Sequence, residues 1–94
     1  SKKYTAATPK ITKLTNTSKG VSVTWNKIAG VYGYRLYRKY DGGSWTKVKD
    51  TTSTSFTDSG AKKGKKVIYT VRCIDRKGKT VSGFNSKGWS ITRK

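Results

Sequence analysis

Apolar and polar residues alternate along this chain with a period of two, and apolar positions never sustain the three-four spacing of a helix. The clearest stretch is Val21-Ser22-Val23-Thr24-Trp25, which sets Val21, Val23 and Trp25 on one face and hydroxyls on the other. The run Tyr34-Arg35-Leu36-Tyr37-Arg38-Lys39-Tyr40 repeats the pattern, with Tyr34 and Leu36 inward and Arg35, Tyr37 and Lys39 outward. Residues 67–75 form the longest run, with Val67, Tyr69, Val71 and Cys73 on one parity. Further strands are expected over 10–15 (anchored by Ile11 and Leu14), 45–49 and 53–57 (anchored by Phe56). A last, irregular strand is expected over 80–92, carrying Phe84, Trp89 and Ile91. Turn residues separate these runs at 16–20, 41–43, 58–60, 61–66 and 76–79, and 26–33 reads as a loop. Trp45 and Val48 have opposite parity, so one of them needs a bulge or a place on the rim.

Seven short strands with turn signals every 8–12 residues describe an antiparallel sandwich or a small barrel. Composition agrees: seven Val, five Ile and fourteen Thr stand against two Leu and no Met. β-branched side chains lose rotamer freedom in helices and fit a pleated surface. At 94 residues the chain holds one domain with one core, over 9–94, preceded by a linker at 1–8 that ends at Pro9.

Charge narrows the partners. Twenty-two Lys and Arg against four Asp and no Glu give +18, which attracts polyanions through a field that salt screens. The lysines are dispersed over strands and both poles, whereas a dedicated nucleic-acid module gathers its charge on one face, so no specific nucleic acid is expected. No run reaches the ~20 apolar residues of a membrane span.

The residues offer little chemistry. With no His and a single Cys there is no zinc-type ligand set, no internal disulfide and no base to activate Cys73, which is expected in the core as a small apolar residue. Asp41, Asp50, Asp58 and Asp75 each fall in or beside a turn, where carboxylates commonly bond local backbone, so an acid–base pair is not expected. Gly42-Gly43 lacks the following helix of a phosphate-binding loop. Asn16-Thr17-Ser18 fits a glycosylation acceptor, a triplet frequent by chance. No catalytic, cofactor-binding or metal residue is nominated, and no cofactor is expected.

In order and spacing, Val21–Trp25, Gly33-Tyr34-Arg35-Leu36-Tyr37-Arg38, Asp41-Gly42-Gly43-Ser44-Trp45-Thr46-Lys47-Val48, Thr54-Ser55-Phe56-Thr57-Asp58-Ser59-Gly60 and the run 64–75 resemble the fibronectin type III family. The likeness spans 9–91. It implies an all-β, seven-stranded antiparallel, immunoglobulin-like β-sandwich of three and four strands joined in a Greek key. It also implies core positions for Trp25, Tyr34, Leu36, Phe56, Val67, Tyr69, Val71 and Cys73. One departure stands out: three residues after Gly64, where the family keeps its corner tyrosine, this chain has Val67, and the nearest phenol is Tyr69. No Arg-Gly-Asp tripeptide is present, so integrin binding is not implied.

The hairpin and the 67–75 strand resemble repeats of secreted or cell-surface proteins of Gram-positive bacteria. That likeness implies a non-catalytic accessory module, a spacer and protein-interaction domain beside catalytic, carbohydrate-binding or wall-anchoring domains. It is expected to be a monomer in isolation whose partners are neighbouring domains of the same polypeptide. The alternative is weak binding of anionic cell-wall polymer or acidic polysaccharide. The surface nominated for it is Arg35, Tyr37, Lys39 and Arg72, together with Lys62, Lys63, Lys65 and Lys66. A third reading, neutral-sugar binding, requires an exposed Trp45 or Trp89.

Overall fold

In the computed structural model, residues 6–94 are described. They form seven strands: β1 (Ile11–Thr17), β2 (Gly20–Trp25), β3 (Gly33–Tyr40), β4 (Thr46–Thr51), β5 (Ser55–Asp58), β6 (Lys66–Ile74) and β7 (Trp89–Thr92). One antiparallel sheet has the order β1-β2-β5 and the other β4-β3-β6-β7. No helix occurs among the described residues, so none crosses a membrane.

The alternation read from the sequence becomes the core. Val21, Val23 and Trp25 of β2 meet Tyr34 and Leu36 of β3 and Val67, Tyr69, Val71 and Cys73 of β6 in one buried cluster. Burying a Val or Leu side chain contributes ~1.5–3 kcal/mol, so the central strands carry most of the stability. Trp25 and Tyr34, on different sheets, pack edge to face with centroids 5.9 Å apart. Phe56 is half-buried and packs against the cluster from the short edge strand β5.

Edges depart from the expected bounds. β1 begins at Ile11 and runs on to Thr17, pairing Asn16 with Val21 and Thr17 with Gly20 inside the expected turn cluster. β5 starts two residues later than expected, at Ser55. The strand expected over 80–92 is broken: Thr80 bridges Ile74 and Ser82 bridges Ala6, but regular pairing resumes only at Trp89. The parity conflict of Trp45 and Val48 has a double resolution. Leu36 pairs Lys49 while Tyr37 pairs Lys47, so Val48 is an extra residue in a bulge, and Trp45 lies just outside β4. Of the linker expected over 1–8, residues 1–5 lie outside the described residues. Ala6 is buried and its N–H donates to Val81 O at 2.8 Å.

A polar cluster seals the core where β5 ends. Asp58, 2% exposed, accepts from Arg38 Nη1 at 2.7 Å on both oxygens, from the Tyr69 hydroxyl at 2.8 Å and from Gly60 N at 3.0 Å. Tyr69 thus ties β6 to the facing sheet through a carboxylate, in a chain that has Val67 at the expected tyrosine position. Asp58 does bond local backbone as expected of a turn carboxylate, but its main partners are 11 and 20 residues away. Burial opposes the charge on Arg38, and the hydrogen bond and charge of Asp58 outweigh it, raising the guanidinium pKa. Burial, then the bond to Asp58, pushes the Tyr69 phenol well above its ordinary value.

That shift predicts alkaline sensitivity. A raised folded-state pKa gives stability that is complete below the unfolded phenol's value of ~10 and is lost as pH rises toward the folded value. Relative to Tyr69→Phe, the wild type should lose about 1.4 kcal/mol per pH unit above pH ~10. Urea melts of both proteins across that range check this; parallel pH profiles would contradict it.

Candidate functional site

The outer face of the four-stranded sheet carries the side chains that parity sends outward. Across the β3–β6 ladder Arg35 stands level with Arg72, Tyr37 with Thr70 and Lys39 with Ile68. The β6–β7 connection then folds back over this face. Arg72 donates from Nε and Nη2 to Ser82 O at 3.1 and 2.9 Å, and Cys73 N donates to Ser82 Oγ at 2.9 Å. Thr70 Oγ1 donates to Asn85 O at 2.9 Å, which accounts for a threonine fully buried on an outward parity. Asn85 Oδ1 in turn accepts from Lys87 N and Gly88 N at 3.0 and 3.2 Å, closing a side-chain turn.

This pinned segment holds Phe84 above the sheet, 41% exposed. Its ring meets Tyr37 at 6.5 Å between centroids, tilted by 33°, and Trp45 at 6.2 Å, edge to face. The Lys39 ammonium lies 5.0 Å from the Trp45 ring centroid, and the Arg72 guanidinium 5.3 Å from that of Phe84. The result is a row of cation, ring, ring, cation, with Tyr37 alongside. Tyr37, Trp45, Arg72 and Phe84 line a notch of about 40 Å³ in it.

The residues nominated from sequence divide into three groups. Tyr37, Lys39 and Arg72 belong to this row. Arg35 shares the face but is committed: it donates to Asp50 at 2.7 and 3.0 Å and to Gly78 O at 2.9 Å. The bond to Asp50 raises the Arg35 pKa further and holds the Asp50 carboxyl below its usual range. Asp50 is therefore a sheet-face ion partner, not the local turn former expected of it. Lys62, Lys65 and Lys66 line a separate open cleft of about 350 Å³ with Tyr40 and Asp41, and Lys63 is exposed beside them. There Lys62 N donates to the Tyr40 hydroxyl at 3.0 Å, and the Lys62 ammonium lies 5.8 Å from the Tyr40 ring centroid. The cleft and the notch share no lining residue.

Two residues of the row, Trp45 and Phe84, were not nominated with the basic surface. Parity alone leaves Trp45 between core and rim and puts Phe84 on a strand. Trp89, the other indole considered for sugar binding, is packed against the core.

No arrangement for covalent or acid–base chemistry appears among the described residues. The four carboxylates are bonded elsewhere or alone: Asp50 to Arg35, Asp58 to Arg38 and Tyr69, Asp75 to Lys77 N and Lys79 N, each at 2.9 Å, with Asp41 exposed. Burial pushes the Cys73 thiol pKa upward, away from a reactive thiolate. No cluster of three His, Cys, Asp or Glu able to hold a metal occurs among the described residues.

No family model matches the chain. It is similar to a poly(3-hydroxybutyrate) depolymerase of Ralstonia pickettii, 39% identical over 59 residues, which are 63% of this chain and 11% of that protein. It is also similar to an amylopullulanase of Thermoanaerobacterium saccharolyticum, 32% identical over 60 residues, 62% of this chain and 5% of that enzyme. This chain therefore matches only a small part of each relative's length. Among solved structures, an Fn3-like protein from Clostridium thermocellum superposes with a TM-score of 0.62 and 27% identity, covering 89% of this chain and 90% of that one. An all-β chain of seven strands, in antiparallel sheets of three and four, is Fn3-like in fold.

Proposed function

We propose that this chain is a fibronectin type III module of a larger secreted or cell-surface bacterial protein. It acts there as a non-catalytic spacer and interaction domain beside polymer-degrading or wall-anchoring domains. The observation that carries the reading is the pattern of likeness: segments of about two-thirds of this chain match only 11% and 5% of two polymer-degrading enzymes.

The strand layout supports the mechanical role. Ala6 is held at Val81, beside the C-terminal end of β6, whereas Arg93 N donates to Lys65 O beside its N-terminal end. Chain continuing from either point leaves an immunoglobulin-like sandwich at opposite poles, as a spacer in a row of domains requires. The Arg93 guanidinium, 5% exposed, donates to Ala61 O at 3.4 Å and Thr17 O at 3.3 Å, which stiffens that exit.

The test is turnover and context. The isolated chain should release no product from starch, pullulan or poly(3-hydroxybutyrate). Deleting 9–94 from its complete reading frame should leave activity on soluble substrate unchanged and lower it several-fold on insoluble polymer. Product release by the isolated chain would overturn the proposal.

A further inference from the structure

We infer that the row Lys39–Trp45–Phe84–Arg72, with Tyr37, is a binding site for a carboxylated polysaccharide, a chain of uronic-acid sugars. The inference names a ligand class for the module proposed above and rests on that reading only for its setting.

Four separate elements build the site, Arg72 coming from β6, which is what distinguishes it from scattered surface aromatics. Tyr37 and Lys39 come from β3, Trp45 from the hairpin before β4, and Phe84 from a segment that leaves the sheet edge to lie on its face. Fixing that segment uses hydrogen bonds from Thr70 and Arg72, so the exposed ring of Phe84 is held in place before any ligand arrives. The rings meet edge to face or tilted, and a cation already lies over one ring at each end. Such a row offers no broad flat platform of parallel rings for successive unstacked bases, and a neutral sugar gives its two cations no charge to pair with.

A uronic-acid chain matches what the row does offer. Each sugar brings a ring whose C–H face packs on the exposed part of Phe84, and a carboxylate for Lys39 or the free Nη1 side of Arg72. The notch of about 40 Å³ has room for a carboxylate-sized substituent but not for a whole sugar ring. A phosphate polymer without rings would satisfy the cations and leave Phe84 in water. The net charge of +18 adds long-range attraction for an acidic chain.

The experiment titrates the 94-residue chain with alginate, dextran and duplex DNA at about 0.15 M salt, using affinity electrophoresis and calorimetry. Alginate should bind and dextran should not. Phe84→Ala should weaken alginate binding about tenfold or more while the protein stays folded, with an unfolding temperature lowered by only about 5–10 °C for the lost ring contacts. The charge control Lys63→Ala/Lys65→Ala, at the separate pole, should change it less than about twofold. The inference is overturned if alginate fails to bind or if Phe84→Ala binds it as the wild type does. It is equally overturned if DNA and alginate bind alike and both follow the lysine control. None of these failures touches the accessory role, which turnover and deletion decide independently.

Discussion

Replacing Asp58 with alanine should destabilise the protein by about 3–5 kcal/mol, the largest loss expected of any single polar substitution in this chain. The carboxylate is 2% exposed and gathers Arg38, Tyr69 and Gly60 N. Removing it leaves the Arg38 charge without its counter-ion and a buried Tyr69 hydroxyl without its acceptor. A domain of this size holds only about 5–15 kcal/mol in total, so the variant should be at the edge of unfolding at 25 °C. Denaturant melts check the magnitude. Asp58→Ala with Arg38→Met should recover part of the loss, because the worst element is the stranded charge and not the missing pair. A single substitution costing under about 1 kcal/mol would mean that water reaches the cluster.

Gly88→Ala should cost about 2–4 kcal/mol and should also unseat the aromatic row. Gly88 has φ +64°, in the left-handed region, and a Cβ there would sit 2.6 Å from Ile68 Cγ2, 2.7 Å from Tyr69 O and 3.0 Å from Trp45 Cη2. Tyr69 O is backbone of β6, which cannot yield without disturbing its pairing with β3 and β7, and Ile68 Cγ2 sits on a β-branched side chain of the same strand. The cheaper relaxation lifts the connection off the sheet, taking Asn85 from Thr70 and Phe84 from Tyr37. Thermal unfolding measures the cost, and acrylamide quenching of Trp45, compared in a background where Trp25 and Trp89 are Phe, measures the exposure. An alanine variant with native stability and unchanged quenching would show that the loop does not need the glycine.

The interior was legible because it depends on parity alone. Val21, Val23, Trp25, Tyr34, Leu36 and Val67 through Cys73 lie on alternating positions of central strands, so both neighbours in each sheet enforce the face they show. Edges were less legible. Tertiary pairing carried β1 into a turn-like sequence at Asn16 and Thr17, since its ladder to β2 continues up to Gly20. The sequence requires a bulge near Val48 but does not locate it, because Trp45 and Val48 fit either side of it equally well. Hidden altogether were roles that depend on partners distant in sequence. Asp50 and Asp58 read as turn formers, and their guanidinium partners lie 15 and 20 residues away. Phe84 read as a strand residue because an apolar side chain in a polar stretch carries no mark of which face it covers. Tyr37, Lys39 and Arg72 could be placed together from parity, but their aromatic companions could not.

The state of Phe84 in the free protein tests the fixed outer face most directly. Proton NMR should show nuclear Overhauser contacts from its ring to both Tyr37 and Trp45, with slow exchange of the Gly88 amide that closes the turn. A Phe84 ring with averaged shifts and no contact to either partner would contradict the claim that the outer face carries a fixed aromatic–cation row.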